Sequence, residues 1–101
     1  MVLLRIDVLV SYDVNTLDKE GRRRLRKVAK SCEGFGQRVQ FSVFECTVSE
    51  TDFERLRQKL VKIINKDEDS LRIYHLRGNR GDYLEHYGKN TYVDFQEPLI
   101  V

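Results

Sequence analysis

The residues able to do chemistry in this chain are few, and one of them is oddly placed. The stretch VLVSYDV, Val8 to Val14, reads as a strand that runs into Asp13 at its tip, just before the loop NTLDK. A carboxylate on the polar side of a strand end suits a hard cation such as Mg²⁺, which takes oxygen ligands and keeps several waters. It equally suits a cap for the loop or for the helix that follows. One carboxylate is a sparse metal site, but a symmetric dimer would bring two copies of Asp13 to one axis and supply a second ligand with no further sequence. Other chemistries find less support. The chain has no Gly-rich phosphate loop, no HExxH and no paired Cys/His zinc spacing. Its two histidines cannot furnish a convincing Ser-His-Asp set. His75 alternates with Leu71 and Ile73 and reads as a packed strand histidine, and His86 has no identifiable partner in the sequence. Cys32 and Cys46 form no CxxC pair and sit at apolar positions of their segments, which predicts buried free thiols.

Charge marks a second kind of surface. The net charge is only +2, yet residues 19–30, KEGRRRLRKVAK, hold seven Lys or Arg against one Glu. Basic character this local is what a phosphate-binding face needs, and also what a solvated helix face shows. No apolar run approaches the roughly 20 residues of a membrane span, and Arg5 and Asp7 interrupt the opening apolar stretch, so no signal peptide is read there. The expectation is a soluble cytoplasmic protein with no membrane partner.

These residues must be held by a small number of elements. In the first strand Leu4, Ile6, Val8, Val10 and Tyr12 point one way, and Arg5, Asp7, Leu9, Ser11 and Asp13 the other. One face is core; the mixed other face suits a sheet covered by helices on one side and open, or meeting a partner, on the other. Leu25, Val28, Ala29 and Cys32 form one helical stripe that Gly34 and Gly36 end, leaving Arg22, Arg23, Arg26, Lys27 and Lys30 on the outside. In QRVQFSVFECTVS the apolar phase flips at Val43–Phe44, which predicts a bulge or a tight turn between two short strands. Ser49 with Asp52 has capping-box spacing, and Phe53, Leu56, Leu60, Ile63 and Ile64 build a second amphipathic helix ending near Asn65. Leu71, Ile73 and His75 make a further strand.

The order is β-α-β-β-α-β, an α+β ferredoxin-like arrangement: a four-stranded antiparallel sheet with both helices on one face. We divide the chain into a ferredoxin-like domain over 1–78 and a C-terminal extension over 79–101. That extension ends in EPLIV, and its apolar end predicts an extra C-terminal strand on this chain or on a partner.

A strand ending in YD, a basic first helix and then RVQFSVFEC together resemble CRISPR-associated protein 2, over residues 4–76. The resemblance implies a ferredoxin-like homodimer, often with the C-terminal strand packed on the other subunit. It implies a metal-dependent endonuclease acting on RNA or double-stranded DNA, with Asp13 as catalytic and metal-binding residue. One Mg²⁺ ion would then be shared across the dimer axis by two copies of Asp13. Tyr12 matches beside it, and Arg38, Ser42 and Phe44 fall on the family's other motif near the site. The arginines of the first helix match only as a group. The family also implies a partner, the CRISPR-associated protein 1 integrase, whose dimers it bridges while a DNA duplex is held for insertion as a new spacer. Nuclease and non-catalytic DNA-binding scaffold therefore both stand, and a small metabolite-binding regulatory domain is a third, blander class.

Leu3 and Leu9 on the open sheet face, with Leu99, Ile100 and Val101 at the tail, are expected to be covered by a second subunit. Light scattering at micromolar concentration should then report twice the 12.0 kDa chain mass. Deleting residues 98–101 should weaken that dimer, and a clean monomer would remove the paired-carboxylate argument.

Overall fold

The computed structural model describes residues 5–76 and 83–89. In chain order the elements are β1 (Arg5–Asp13), α1 (Lys19–Glu33), β2 (Gln37–Gln40), β3 (Val43–Ser49), α2 (Glu50–Ile63), β4 (Ser70–Leu76) and β5 (Tyr83–Gly88). All strand pairings are antiparallel, in the order β2-β3-β1-β4-β5. The first four strands make the ferredoxin-like sheet that the periodicity predicts, with β1 at its centre. A fifth strand, β5, which the sequence reading does not place at these residues, adds to the edge of β4 in the same chain, with Leu71 opposite Tyr87 and Ile73 opposite Glu85; the terminal strand expected from EPLIV is a different segment. Residues 90–101, including EPLIV, and Leu3 lie outside the described residues.

Strand alternation builds the core. Val8, Val10 and Tyr12 of β1, Phe44, Cys46 and Val48 of β3, and Leu71 and Ile73 of β4 are all buried on one face. Val28 and Cys32 of α1 and Phe53, Leu56 and Leu60 of α2 cover them, so both helices lie on that side. The phase flip at Val43–Phe44 is both of the things it predicts. A turn at Phe41–Ser42 separates β2 from β3, and the register shifts between Arg38 and Gln40. Phe44 takes the inward phase, whereas Val39 and Phe41 are left exposed. The opposite sheet face carries Leu9, Ser11 and Asp13, with Arg72, Tyr74 and Leu76 beside them in register. Among the described residues no helix covers it.

The helix ends follow local chemistry. The Ser49 hydroxyl accepts the Asp52 N–H at 3.2 Å, the cap its spacing predicts. The Asp18 carboxylate accepts the Gly21 N–H at 2.7 Å and caps α1. Gly21 is required there: a Cβ would sit 1.8 Å from the Asn15 carbonyl oxygen, so the first turn of α1 rests on the β1–α1 loop. Cys32 and Cys46 are buried free thiols, and burial pushes their pKa values up to about 12 and about 11. They stay protonated and unreactive in the fold.

Among the described residues, Asp69 is the charged residue with no exposure to solvent. The Asp69 carboxylate accepts the backbone N–H of Asn15 at 3.0 Å and of Asn65 at 2.8 Å, and Arg24 Nε–H at 2.8 Å. It thereby joins the loop after β1, the end of α2 and the middle of α1. Its own carbonyl accepts the Lys89 N–H at 2.6 Å, just past β5. Gly88 makes that approach possible: its φ is +90°, and a Cβ would lie 2.2 Å from the Asp69 carbonyl oxygen. Burial alone would raise the Asp69 pKa. The Arg24 hydrogen bond, the two backbone N–H groups and the Arg24 charge outweigh it and leave the carboxyl below its usual range.

A group with a depressed folded pKa contributes stability above its unfolded pKa, near 3.9, and loses it as pH falls through the folded value. Asp69→Asn should therefore lose about 2–3 kcal/mol near neutral pH, below the range for breaking fully buried pairs because Arg24 keeps some solvent access. The gap to the unaltered protein should narrow below about pH 4. Urea titrations at several pH values measure both; a constant gap across pH would contradict the ionised clamp.

Candidate functional site

Asp13 ends β1 opposite Ser70 of β4. On the other side β3 begins at Val43, opposite Ser11, so Asp13 projects beyond the end of its β3 neighbour. Its side chain is exposed, and among the described residues its carboxylate has no hydrogen-bond or ion-pair partner. The capping role left open by the sequence falls to Asp18 instead. Asp13 is thus an available carboxylate on the uncovered sheet face, two residues from the Asn15 N–H that Asp69 fixes.

The donor set tests whether a metal fits. Among the described residues no three His, Cys, Asp or Glu side chains converge. Near Asp13 a single chain offers one hard anionic oxygen donor and the hydroxyl-bearing neighbours Ser11 and Ser70. These donors fit part of the shell of a Mg²⁺ ion, which needs few protein ligands.

Tyr12, Ser42, Phe44 and Arg38 gather at the same end of the sheet but on the helix side. The Tyr12 N–H donates to the Ser42 carbonyl at 3.1 Å, and its hydroxyl to the Phe41 carbonyl at 3.4 Å. Its ring stacks on Phe44 with centroids 6.3 Å apart, and the Arg38 guanidinium lies 5.1 Å from the centre of the Phe44 ring. Arg38 also pairs with Glu33 at 3.5 Å. Burial first, then the neighbouring Cys32 and Glu33, push the Tyr12 pKa up against the lowering effect of Arg38. Tyr12 is therefore a neutral phenol, unsuited to act as a base. Because successive strand residues face opposite ways, the Tyr12, Phe44 and Arg38 side chains and the Ser42 carbonyl brace the tip of β1 from behind and do not join Asp13 on its own face.

The histidines separate as well. His75 is buried, pairs with Glu85 and meets Phe53 edge-to-face at 5.0 Å, the packed strand histidine its alternation predicts. His86 acquires a neighbour that sequence does not show: β5 brings its Nε2 within 3.4 Å of the Ser70 hydroxyl and 3.0 Å of the Lys89 carbonyl.

The basic residues of α1 divide into two groups. Arg23, Lys27 and Lys30 line a groove between α1 and α2, whereas Arg22 and Arg26 are exposed outside it. Arg22 Nη1 reaches back to the Thr16 carbonyl at 3.3 Å. Arg24, counted among the basic residues by sequence, is instead committed to Asp69 and Glu68.

The profile of CRISPR associated protein Cas2 matches residues 6–82. The chain belongs to the Cas2 family. Among Cas2 proteins it is 50% identical over 94 residues to the CRISPR-associated endoribonuclease Cas2 1 of Moorella thermoacetica, spanning 93% of this chain and 98% of that one. It is 48% identical over 93 residues to the CRISPR-associated endonuclease Cas2 of Halalkalibacterium halodurans, spanning 92% and 97%. The solved structure of Streptococcus pyogenes Cas2 superposes with a TM-score of 0.66 at 52% identity, covering 72% of this chain and 88% of that one. A second solved structure, titled cas2, matches at 26% identity and a TM-score of 0.63 over 97% of this chain and 98% of its own. No described helix is long and apolar enough to cross a membrane.

The geometry separates capping from ligation in a stability measurement. Asp18→Ala should lower stability by about 1 kcal/mol. Asp13→Asn should leave it within about 0.5 kcal/mol, as for surface sites without partners. Thermal melts of the two variants test this; a destabilised Asp13→Asn protein would restore the capping role.

Proposed function

We propose that this protein is a CRISPR adaptation protein: a cytoplasmic homodimer with Mg²⁺-dependent endonuclease activity on RNA or double-stranded DNA. The single observation that carries the reading is Asp13, an exposed carboxylate without a partner among the described residues, presented at a strand tip on the uncovered sheet face. Two copies of this face, meeting about a two-fold axis, pair the two Asp13 side chains and bury Leu9, Tyr74 and Leu76. The names of the relatives, endoribonuclease and endonuclease, support the activity class.

In this proposal each Asp13 holds one side of a shared Mg²⁺. The bound ion supplies Lewis-acid stabilisation of charge on a phosphate and makes a bound water more acidic. The chain's own residues do the rest. Tyr12, Phe44 and Arg38 keep the β1 tip rigid from the helix side, the Ser42 carbonyl holds the Tyr12 N–H, and Asp69 fixes the backbone just beyond Asp13. The exposed face of α1, Arg22, Arg23, Arg26, Lys27 and Lys30, meets phosphates without reading sequence.

A second reading has its own observation. The described residues of one chain bring no three metal ligands together. That leaves room for the second reading, a non-catalytic scaffold whose basic α1 face binds a DNA duplex while it bridges dimers of the CRISPR-associated protein 1 integrase during spacer acquisition.

Asp13→Asn separates the two. It keeps the size of the side chain and removes its charge. As a nuclease, the protein should lose roughly a hundredfold or more of its Mg²⁺-dependent cleavage on this change, the scale of removing one well-placed electrostatic group, while dimer mass and nucleic-acid affinity persist. Cleavage by a well-folded Asp13→Asn protein at the unaltered rate would sink the site. As a scaffold, the unaltered protein should show no cleavage above an EDTA control, and Asp13→Asn should still support spacer integration by the partner integrase.

A further inference from the structure

We propose that the cleft between α1 and α2 is a binding site for the backbone of a nucleic-acid duplex, with Lys59 and Lys62 of α2 as its second wall. The inference rests on the reading that the chain binds nucleic acid, and not on Asp13. The cleft encloses about 640 Å³ and faces away from the sheet. Lys27 and Lys30 line it from α1, and Lys59 and Lys62 from α2, over a floor that includes Ile63 and Ser31. Its remaining charged residues have ion-pair partners, loose and exposed for Arg23 and tight for Arg24. Arg23 pairs with Glu20 at 3.7 Å, and Arg24 pairs with Asp69 at 2.8 Å. No ion pair involves any of the four lysines among the described residues.

That arrangement works against the fold taken alone. Lys27 and Lys30, and again Lys59 and Lys62, are like charges at i,i+3 spacing, which destabilises a helix by a few tenths of a kcal/mol per pair. Two such pairs facing one another across a cleft concentrate positive potential there. An anion is the partner that relieves it.

The side-chain types choose among anions. Among the described residues the lining holds no aromatic residue. Protein interfaces are depleted in Lys and anchored by Tyr, Trp or Arg, so an acidic protein segment would find charge here but no anchor. Single strands are held by bases stacked on aromatic rings, and none of the described residues lining the cleft is aromatic. A duplex backbone needs neither. It presents a regular row of phosphates to which lysines are compact, mobile point charges. The spacing suits such a row: Arg23 to Lys30 covers about 10 Å along α1 at 1.5 Å per residue. The site is also separate from Asp13, since the helices cover one face of the sheet and Asp13 stands on the other. A duplex held here is held apart from the cleavage centre.

The test is fluorescence anisotropy of a short labelled DNA duplex in EDTA, which suppresses cleavage, repeated over a range of salt. Lys59→Glu/Lys62→Glu should weaken binding roughly tenfold or more and reduce the log–log salt slope by about two, one for each phosphate no longer neutralised. Lys59→Arg/Lys62→Arg should keep both affinity and slope. Lys66→Glu/Lys89→Glu makes the same change of net charge on exposed residues outside the cleft and should shift affinity less than threefold. Thermal melts confirm that each variant is folded. Equal losses from the two charge reversals would overturn the site in favour of a diffuse field. So would an unchanged Lys59→Glu/Lys62→Glu protein, although steep salt-dependent binding by the unaltered chain would then still uphold the nucleic-acid reading. If the unaltered chain binds no duplex at low salt, both fall. Stronger binding of a glutamate-rich peptide or of a single strand, abolished by the Lys59/Lys62 reversal, would replace the proposed partner.

Discussion

The Asp69 carboxylate is the interaction on which the other parts depend. A fully buried charge is tolerated only when its lone pairs are used, and Asp69 uses them on donors from three separate segments: Asn15 after β1, Asn65 after α2, and Arg24 within α1. The strand tip that bears Asp13, the basic helix and the return into β4 therefore share one electrostatic anchor. The backbone of the same residue receives β5 through Lys89. Arg24 illustrates the division of labour in α1: an arginine in the middle of a basic run faces inward and secures the helix, while Arg22, Arg23 and Arg26 stay on its exposed side.

Much of the frame is legible in the sequence because burial follows period. Val8, Val10 and Tyr12 alternate and are core; Val28 and Cys32 recur at helical spacing and are core. Ser49 announces its helix by spacing alone. Other features have no such signature. Asp18 as the α1 cap competes in the sequence with Asp13, and only the loop length between them decides it. Asp69 sits in the polar run KDEDS, where nothing distinguishes a solvated acid from a buried one; its burial is a consequence of where Asn15 and Arg24 arrive. β5 starts in a Tyr-rich polar stretch, and its pairing depends on Gly88 adopting a positive φ against Asp69.

The candidate site was legible in part for the same reason. Asp13 stands out because a strand that ends on a carboxylate is unusual. Tyr12, Arg38, Ser42 and Phe44 are legible as residues of one region, but a linear motif does not reveal that they back the strand from the helix side. The five basic residues of α1 read as one surface, although a helix presents them over a broad arc and only part of that arc meets α2. Lys59 and Lys62 went unread because each is ordinary on the outer face of an amphipathic helix. Their meaning comes from the helix opposite.

The two walls of the sheet also answer to different thermodynamics. β1 is flanked by β3 and β4 along nearly all its length, so its amides are shielded on both sides, whereas the four exposed residues of β2 form an edge. Local openings of an edge can exchange its protons without disturbing the centre; a central strand is released only when the whole fold gives way. The strand leading to Asp13 is thus held by the global folding equilibrium, and Asp13 itself by its backbone pairing with Ser70 of β4. In the proposed dimer, a centre assembled from two such carboxylates would be as well ordered as the association that brings them together.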